Sequence, residues 1–240
     1  MRTEVEFRYE AVKKVSSALK HSLHICVALA LIALIFEFLA FRILVSLRDH
    51  SFADATAIVA EAAASDHNQN IITALQIVVS IASFVLLLLW VFKSNKLARA
   101  LGATNMRYSP GWSVGWFFVP IMNLVRPYFA VKEIYLATLS LHGFNSSKEA
   151  DQQPETLNFV ILWWVLWIAD IFVSKAAFRY AATSEVIDDL VFSSKFTMVA
   201  EGLGIASLFA TLAMVKHVWS TQQDAFGLRD RPKLEHYAAT

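Results

Sequence analysis

Residues 107–137 read RYSPGWSVGWFFVPIMNLVRPYFAVKEIYLA, the densest run of Pro, Gly and Trp in the chain, with long apolar segments on either side. As a helix rising ~1.5 Å per residue, the apolar part at 110–125 would reach only about 24 Å, short of a hydrocarbon core about 30 Å thick. Ser109 followed by Pro110 forms an N-cap with proline at the first helical position, and Pro120 removes a backbone bond ten residues later. The helix should break there. A second start signal stands at Pro127, after which Tyr128, Val131, Tyr135 and Leu139 recur at helical spacing opposite Lys132 and Glu133. Backbone that is not helical survives at membrane depth only where protein or water satisfies it. The stretch therefore predicts a Pro-broken re-entrant or interfacial segment at 110–125, then an amphipathic cytoplasmic helix at 127–141 on the membrane surface. Its candidate lipid-contact residues are Pro110, Gly111, Trp112, Trp116, Pro120, Asn123, Arg126 and Pro127.

Outward from this stretch, the 240 residues are 57% hydrophobic and 17% charged, and the hydrophobicity is gathered in blocks, which excludes an ordinary soluble domain. Blocks at about 23–47, 71–92, 157–177 and 196–219 are each long enough to span, the first as an uncleaved signal anchor. The expected fold is an all-α integral membrane protein, a single membrane domain over 1–240 built as a four-helix bundle of transmembrane helices. Residues 94–101 should prolong the second span and stop at Gly102, while Ala-rich 54–65 reads as a short helix capped by Asp54 and 146–155 as a polar linker. Lys and Arg concentrate in the N-terminal arm, between the second and third spans and in the tail from Lys216, which places these segments in the cytoplasm. The net charge of +1 gives no case for a nucleic-acid partner, and the single cysteine, Cys26, excludes an intramolecular disulfide.

The string SPGWSVGWFFVPIMNLVRPYFAVKEIY, the preceding LARALGA and the later LWWVLWIADIFVSKAAFR resemble the bacterial membrane proteins grouped as domain of unknown function 4328. The resemblance covers roughly residue 93 to the end of the last apolar block and implies a multi-helix protein of the bacterial inner membrane, with no activity attached. At Asp170 the chain departs from the Ser or Asn that the resemblance implies, so no family catalytic role attaches to that carboxylate.

Ionisable groups within apolar blocks usually face the bundle interior or a water-filled cavity. Glu37, Asp170 and Glu201 all fall in the outer half of their spans, with Arg42 and Lys175 at a similar level. Each cation is five residues from the carboxylate on its own helix, roughly 140° around it, so pairing would have to cross between helices. These five residues form a candidate polar cluster, either an interhelical salt-bridge cluster or a path for protons or cations. His24 and His217, near the inner ends of the first and fourth spans, are candidate metal or haem ligands without any ligand motif, so no cofactor is expected. Trp163, Trp164 and Trp167 read as an aromatic belt rather than a stacking pocket, and Gly202, Ala206, Ala210 and Ala213 as a close-packing stripe. Phosphate-loop, nucleophile-elbow and zinc-protease patterns are absent, which leans against an enzyme. The leading expectation is a non-enzymatic membrane module, a homo-oligomer or partner-binding subunit that contacts membrane lipid through its broken segment. The alternative is a small transporter or channel using the intramembrane carboxylates, and below it a haem- or lipid-binding protein.

Overall fold

The structure, a computed structural model, describes residues 2–49, 55–142, 154–183 and 186–238, with side chains described for 4–49, 69–141, 159–183 and 186–229. Six α-helices account for most of it: α1 Arg2–Asp49, α2 Ala55–Leu101, α3 Pro110–Gly115, α4 Arg126–Leu139, α5 Pro154–Ala181 and α6 Ile187–Ala238. Short 3₁₀ turns occupy Met122–Leu124 and Ser140–His142, and no strand occurs among the described residues. Four stretches are long and apolar enough to cross a membrane: Glu4–Asp49, Gln69–Leu101, Phe159–Ala181 and Ile187–Arg229. The protein is an all-α, multi-pass membrane protein.

The Ala-rich segment expected as a separate short helix is continuous with the second span, because nothing between Ser65 and Ile71 is Gly or Pro and the helix propagates through it. Its proposed cap, Asp54, and the linker up to residue 153 lie outside the described residues. The stop at Gly102 has a definite form. Gly102 takes φ +115°, its N–H bonds to Arg99 O at 3.2 Å, and the N–H of Ala103 bonds to Ala98 O at 3.0 Å. That pair of bonds is a Schellman cap, and its hydrophobic contact is present as Ala98 and Ala103 packed together with Ala137.

The chain divides into two compact units. The first comprises Met1–His21, Ser83–Trp164 and Ala210–Thr240. Its core holds Val12, Leu19, Trp90, Val91, Leu97, Ile134, Trp163, Met214 and Val215, all fully buried. Trp90 Nε1 donates to Ser16 Oγ at 2.9 Å, joining α2 to α1, and Gln222 Nε2 donates to the carbonyl of Ser94 at 3.0 Å, joining α6 to α2. The second unit comprises Ser22–Ala82 and Val165–Phe209, four helical segments in all. Ile32, Ile35 and Phe38 on α1, Ile77, Val78 and Ile81 on α2, and Phe172 and Val199 on α5 and α6 are exposed. A continuous outward display of that kind suits hydrocarbon as the solvent, not water.

Within the first unit the central stretch folds as a short helix, a turn and a longer helix. Ser109 caps α3 with its Oγ accepting from Trp112 N at 3.3 Å, and Pro110 takes the first turn. The helix lasts six residues. Past Pro120 the chain makes a three-residue turn in which Met122 N bonds to Pro120 O at 2.7 Å around Ile121, held at φ 65°, ψ −46°. This positive-φ γ-turn is rare and strained, and doubly so for a β-branched residue. Helix α4 then starts at Arg126 and Pro127. It buries Ala130, Val131 and Ile134 through Thr138, and Lys132 and Glu133 are half-buried, so protein surrounds more of it than an alternating apolar and polar pattern implies.

Candidate functional site

The second unit contains a partly open cavity of about 520 Å³ to which all four of its helical segments contribute. From α2 come Thr73, Gln76 and Ser80, at spacings of three and four residues that put them on one helix face. Asp170 and Ser174 of α5 share a face in the same way, as do Thr197, Glu201 and Gly204 of α6, and α1 closes the cavity with Cys26 and Ala30. Ser174 Oγ donates to Asp170 Oδ1 at 3.1 Å. A Cβ on Gly204 would lie 3.4 Å from that oxygen, in ordinary van der Waals contact, so the carboxylate packs against the α6 backbone here.

The electrostatics are one-sided. Glu201 lies within electrostatic range of both Asp170 and Glu37, and among the described residues no Lys, Arg or His lines the cavity. Glu37 is 8% exposed, its Oε2 accepting from Gln69 Nε2 at 2.6 Å and its Oε1 from Ser194 Oγ. The three carboxylates of the expected cluster thus come together, Glu37 and Asp170 each held by neutral donors, from α2 and α6 for the first and from α5 for the second. The two cations do not join them. Arg42 and Lys175 are exposed, and among the described residues neither lies within 4.0 Å of a carboxylate oxygen of Glu37, Asp170 or Glu201. The reason is the five-residue offset, which turns each cation roughly 140° away from the face its carboxylate uses. Carboxylates set in low-dielectric surroundings attract a cation, and this cavity supplies none from its own lining.

The residues of the broken segment serve a second arrangement, in the first unit. Tyr108 is its hub. Its N–H donates to Glu133 Oε2 at 2.9 Å, its carbonyl accepts from Asn95 Nδ2 at 3.1 Å and Arg99 Nη2 at 2.8 Å, and its hydroxyl accepts from Arg126 Nη1 at 3.0 Å. Asn95, fully buried, also donates to Ser113 Oγ at 2.8 Å and accepts from Arg99 Nε at 2.9 Å. Glu133 takes the N–H of Arg107 with its other oxygen. Arg126 also stands 5.3 Å from the Trp116 ring centre, so its guanidinium is engaged by protein. Pro127 is buried, and Asn123 N bonds back to Val119 O at 2.9 Å. Trp112, Gly111 and Pro120 remain exposed, with Trp112 against Trp116 at 4.9 Å between ring centres.

Trp163 and Trp164 of α5 turn inward, while Trp167 is half-buried. Trp163 is 1% exposed, and Trp164 Nε1 donates to the carbonyl of Leu124 at 2.9 Å, pinning the end of the broken segment. His217 stacks on Phe159 at 4.7 Å and His24 is exposed. Among the described residues no group of three or more His, Cys, Asp or Glu could hold a metal ion. On α4, burial holds the Tyr135 phenol above its usual value near 10, against a hydrogen bond to Thr221 that acts the other way. Sequence reasoning did not single out Gln69, Thr73, Gln76, Ser80, Ser194 or Thr197. The signal was present as polar residues recurring every three or four positions within apolar blocks.

A family model described as domain of unknown function (DUF4328) matches residues 54–219, well over half of the chain. That range holds Asp170, Glu201 and the whole Tyr108 arrangement, while Glu37 and the α1 wall of the cavity precede it. No curated protein and no solved structure matches the chain.

Proposed function

The chain belongs to the domain of unknown function (DUF4328) family, whose description assigns no activity, and from the geometry we propose that it is a non-enzymatic carrier or channel taking a small organic cation into the cavity of its second unit. One observation carries this reading: Asp170 and Glu201 line a cavity of about 520 Å³ that has no basic side chain among its described lining residues. The size falls in the ordinary range for small-molecule sites, ~300–1,000 Å³, and exceeds what a bare ion needs. Thr73, Gln76, Ser80, Ser174 and Thr197 provide the few polar groups that orient a ligand. The distribution of Lys and Arg supports cytoplasmic termini in a bacterial inner membrane, with the carboxylates in the outer half.

The test is binding and uptake of radiolabelled tetraethylammonium by the purified protein in liposomes. Wild type should bind saturably, and Asp170→Asn/Glu201→Gln should bind at least ~10-fold more weakly, the loss expected when charged partners are removed. The double variant should keep its melting temperature. A variant that unfolds, or a wild type that neither binds nor transports the cation, points instead to a cluster that serves packing.

A second reading has its own support. Trp112, Phe118 and Ile121 are exposed on the broken segment, and Gly202 opens the small-residue stripe of α6 to empty space. Both suit a re-entrant or interfacial segment in lipid and an oligomeric or partner-binding module. Brominated lipids that quench Trp112, in a variant lacking the other tryptophans, would support it, and a mass measurement in mild detergent would give the number of protomers.

A further inference from the structure

The first unit carries a groove of about 500 Å³ between the start of α1 and the end of the second span, walled by Phe7 and Ala11 on one side and Phe92 on the other. Its polar rim is basic. Lys93 and Lys96 of α2 line the groove and are half-buried, the ordinary state of long basic side chains whose stems cover apolar surface. Lys96 Nζ stands 4.4 Å from the Phe92 ring centre, and Lys93 has no hydrogen-bond or ion-pair partner among the described residues. Among the described residues the one carboxylate on the rim, Glu4, is already held by Arg8, which also lines the groove, at 2.6 Å. Phe7 is 75% exposed beside them.

Depth follows from the chain itself. Trp90, level with Ser16 through their hydrogen bond, stands two residues before the end of the apolar block of α2, and Lys93 and Lys96 are the next charged residues after that end. The groove therefore lies at the basic end of a span, where apolar walls meet the headgroup layer. Two half-buried lysines beside an apolar trough, with the carboxylate of Glu4 taken up by Arg8, match an acyl chain that carries a negative headgroup.

We propose that this groove is a specific site for one anionic phospholipid, an acyl chain lying against Phe7, Ala11 and Phe92 with the phosphate on Lys93 and Lys96. Neutral phospholipids share the chain but not the net charge, so discrimination rests on the two lysines. The site is separate from the cavity of the second unit and stands or falls without it.

The experiment is native mass spectrometry of the full chain in mild detergent, titrated with phosphatidylglycerol or with phosphatidylcholine of the same acyl chains. Wild type should retain one phosphatidylglycerol in preference to phosphatidylcholine. Lys93→Gln/Lys96→Gln should weaken phosphatidylglycerol about 30-fold, from roughly five-fold per lysine at a membrane surface, and leave phosphatidylcholine unchanged. Ala11→Phe, which fills the groove with both lysines intact, should abolish retention of the anionic lipid. Lys93→Arg/Lys96→Arg keeps the charge and should keep the preference. Equal retention of the two lipids by wild type overturns the proposal, as does undiminished phosphatidylglycerol binding in the Gln double variant or in Ala11→Phe. If the Gln variant does not fold, Ala11→Phe and the Arg variant decide the matter.

Discussion

Glu133 offers a sharp way to test how the broken segment is held. Its carboxylate accepts from two successive backbone N–H groups, those of Arg107 and Tyr108, 26 and 25 residues earlier in the chain. A hydrogen bond to a charged acceptor contributes about 1.5–3 kcal/mol when desolvated and far less in water. The Tyr108 bond is partly buried and the Arg107 bond exposed, so about 1.5 kcal/mol for the first and about 0.5 for the second give about 2 kcal/mol in all. Glu133→Ala removes both. Glu133→Gln keeps one acceptor oxygen but turns an amide N–H toward the other donor, and should lose most of the same stabilisation. The remaining bonds of Tyr108, to Asn95, Arg99 and Arg126, do not involve Glu133, so the loss should be local. Amide hydrogen exchange reads it directly. The Tyr108 N–H should exchange roughly 30-fold faster in Glu133→Ala, the equivalent of about 2 kcal/mol, while amides in the middle of α2 keep their protection. A change under about three-fold at Tyr108, or a uniform loss across the chain, would refute the reasoning.

Other expectations concern single positions. Replacing Ile121, 78% exposed and held at φ 65°, with Gly should leave thermal stability unchanged or raise it by up to about 1 kcal/mol, whereas a net loss above that would show the turn is unstrained. Glu37→Gln should be nearly neutral, because Gln69 can rotate its amide to meet the new side chain, but Glu37→Leu should cost about 1–3 kcal/mol by orphaning Gln69 and Ser194. Comparable melting temperatures for the two variants would contradict that arrangement. The stability that burial of Tyr135 confers on the neutral phenol is fully present below its ordinary value near 10 and is lost as pH rises through the raised folded value. Tyr135→Phe should accordingly flatten the alkaline decline in melting temperature, and an unchanged slope would mean that this phenol does not govern it.

Local signals in the sequence were the legible ones. Ser109 and Pro110 start a helix, Pro120 prevents its continuation, Pro127 starts the next, and Gly102 ends α2, each through backbone chemistry confined to a few residues. The four apolar spans were legible for the same reason, since length and hydrophobicity are properties of one segment. What did not show was anything depending on which helix faces which. Glu133 reads as a solvated charge on a surface helix, yet its partners are backbone groups that no residue identity advertises. Trp163 and Trp164 have the composition of an aromatic belt, and only packing reveals that they point into protein. At the cavity, the carboxylates were found individually by their presence in apolar blocks. The failure of Arg42 and Lys175 to join them was partly visible in the five-residue offset, but two of the neutral donors that replaced them, Gln69 and Ser194, lay on other helices than the carboxylate they hold.

The Tyr108 hub also sets an order of events during synthesis. Its partners straddle it in the chain: Asn95 and Arg99 leave the ribosome before it, Arg126 and Glu133 after it. A long apolar helix satisfies its own backbone and can enter the bilayer as soon as it emerges. The backbone at 106–108 has no such independence, because its carbonyls at Met106 and Tyr108 are taken by α2 side chains and its N–H groups at Arg107 and Tyr108 by Glu133 of α4. The N–H groups of Arg107 and Tyr108 must therefore wait until at least residue 133 has been made, and their closure marks the moment at which α2 and α4 have met.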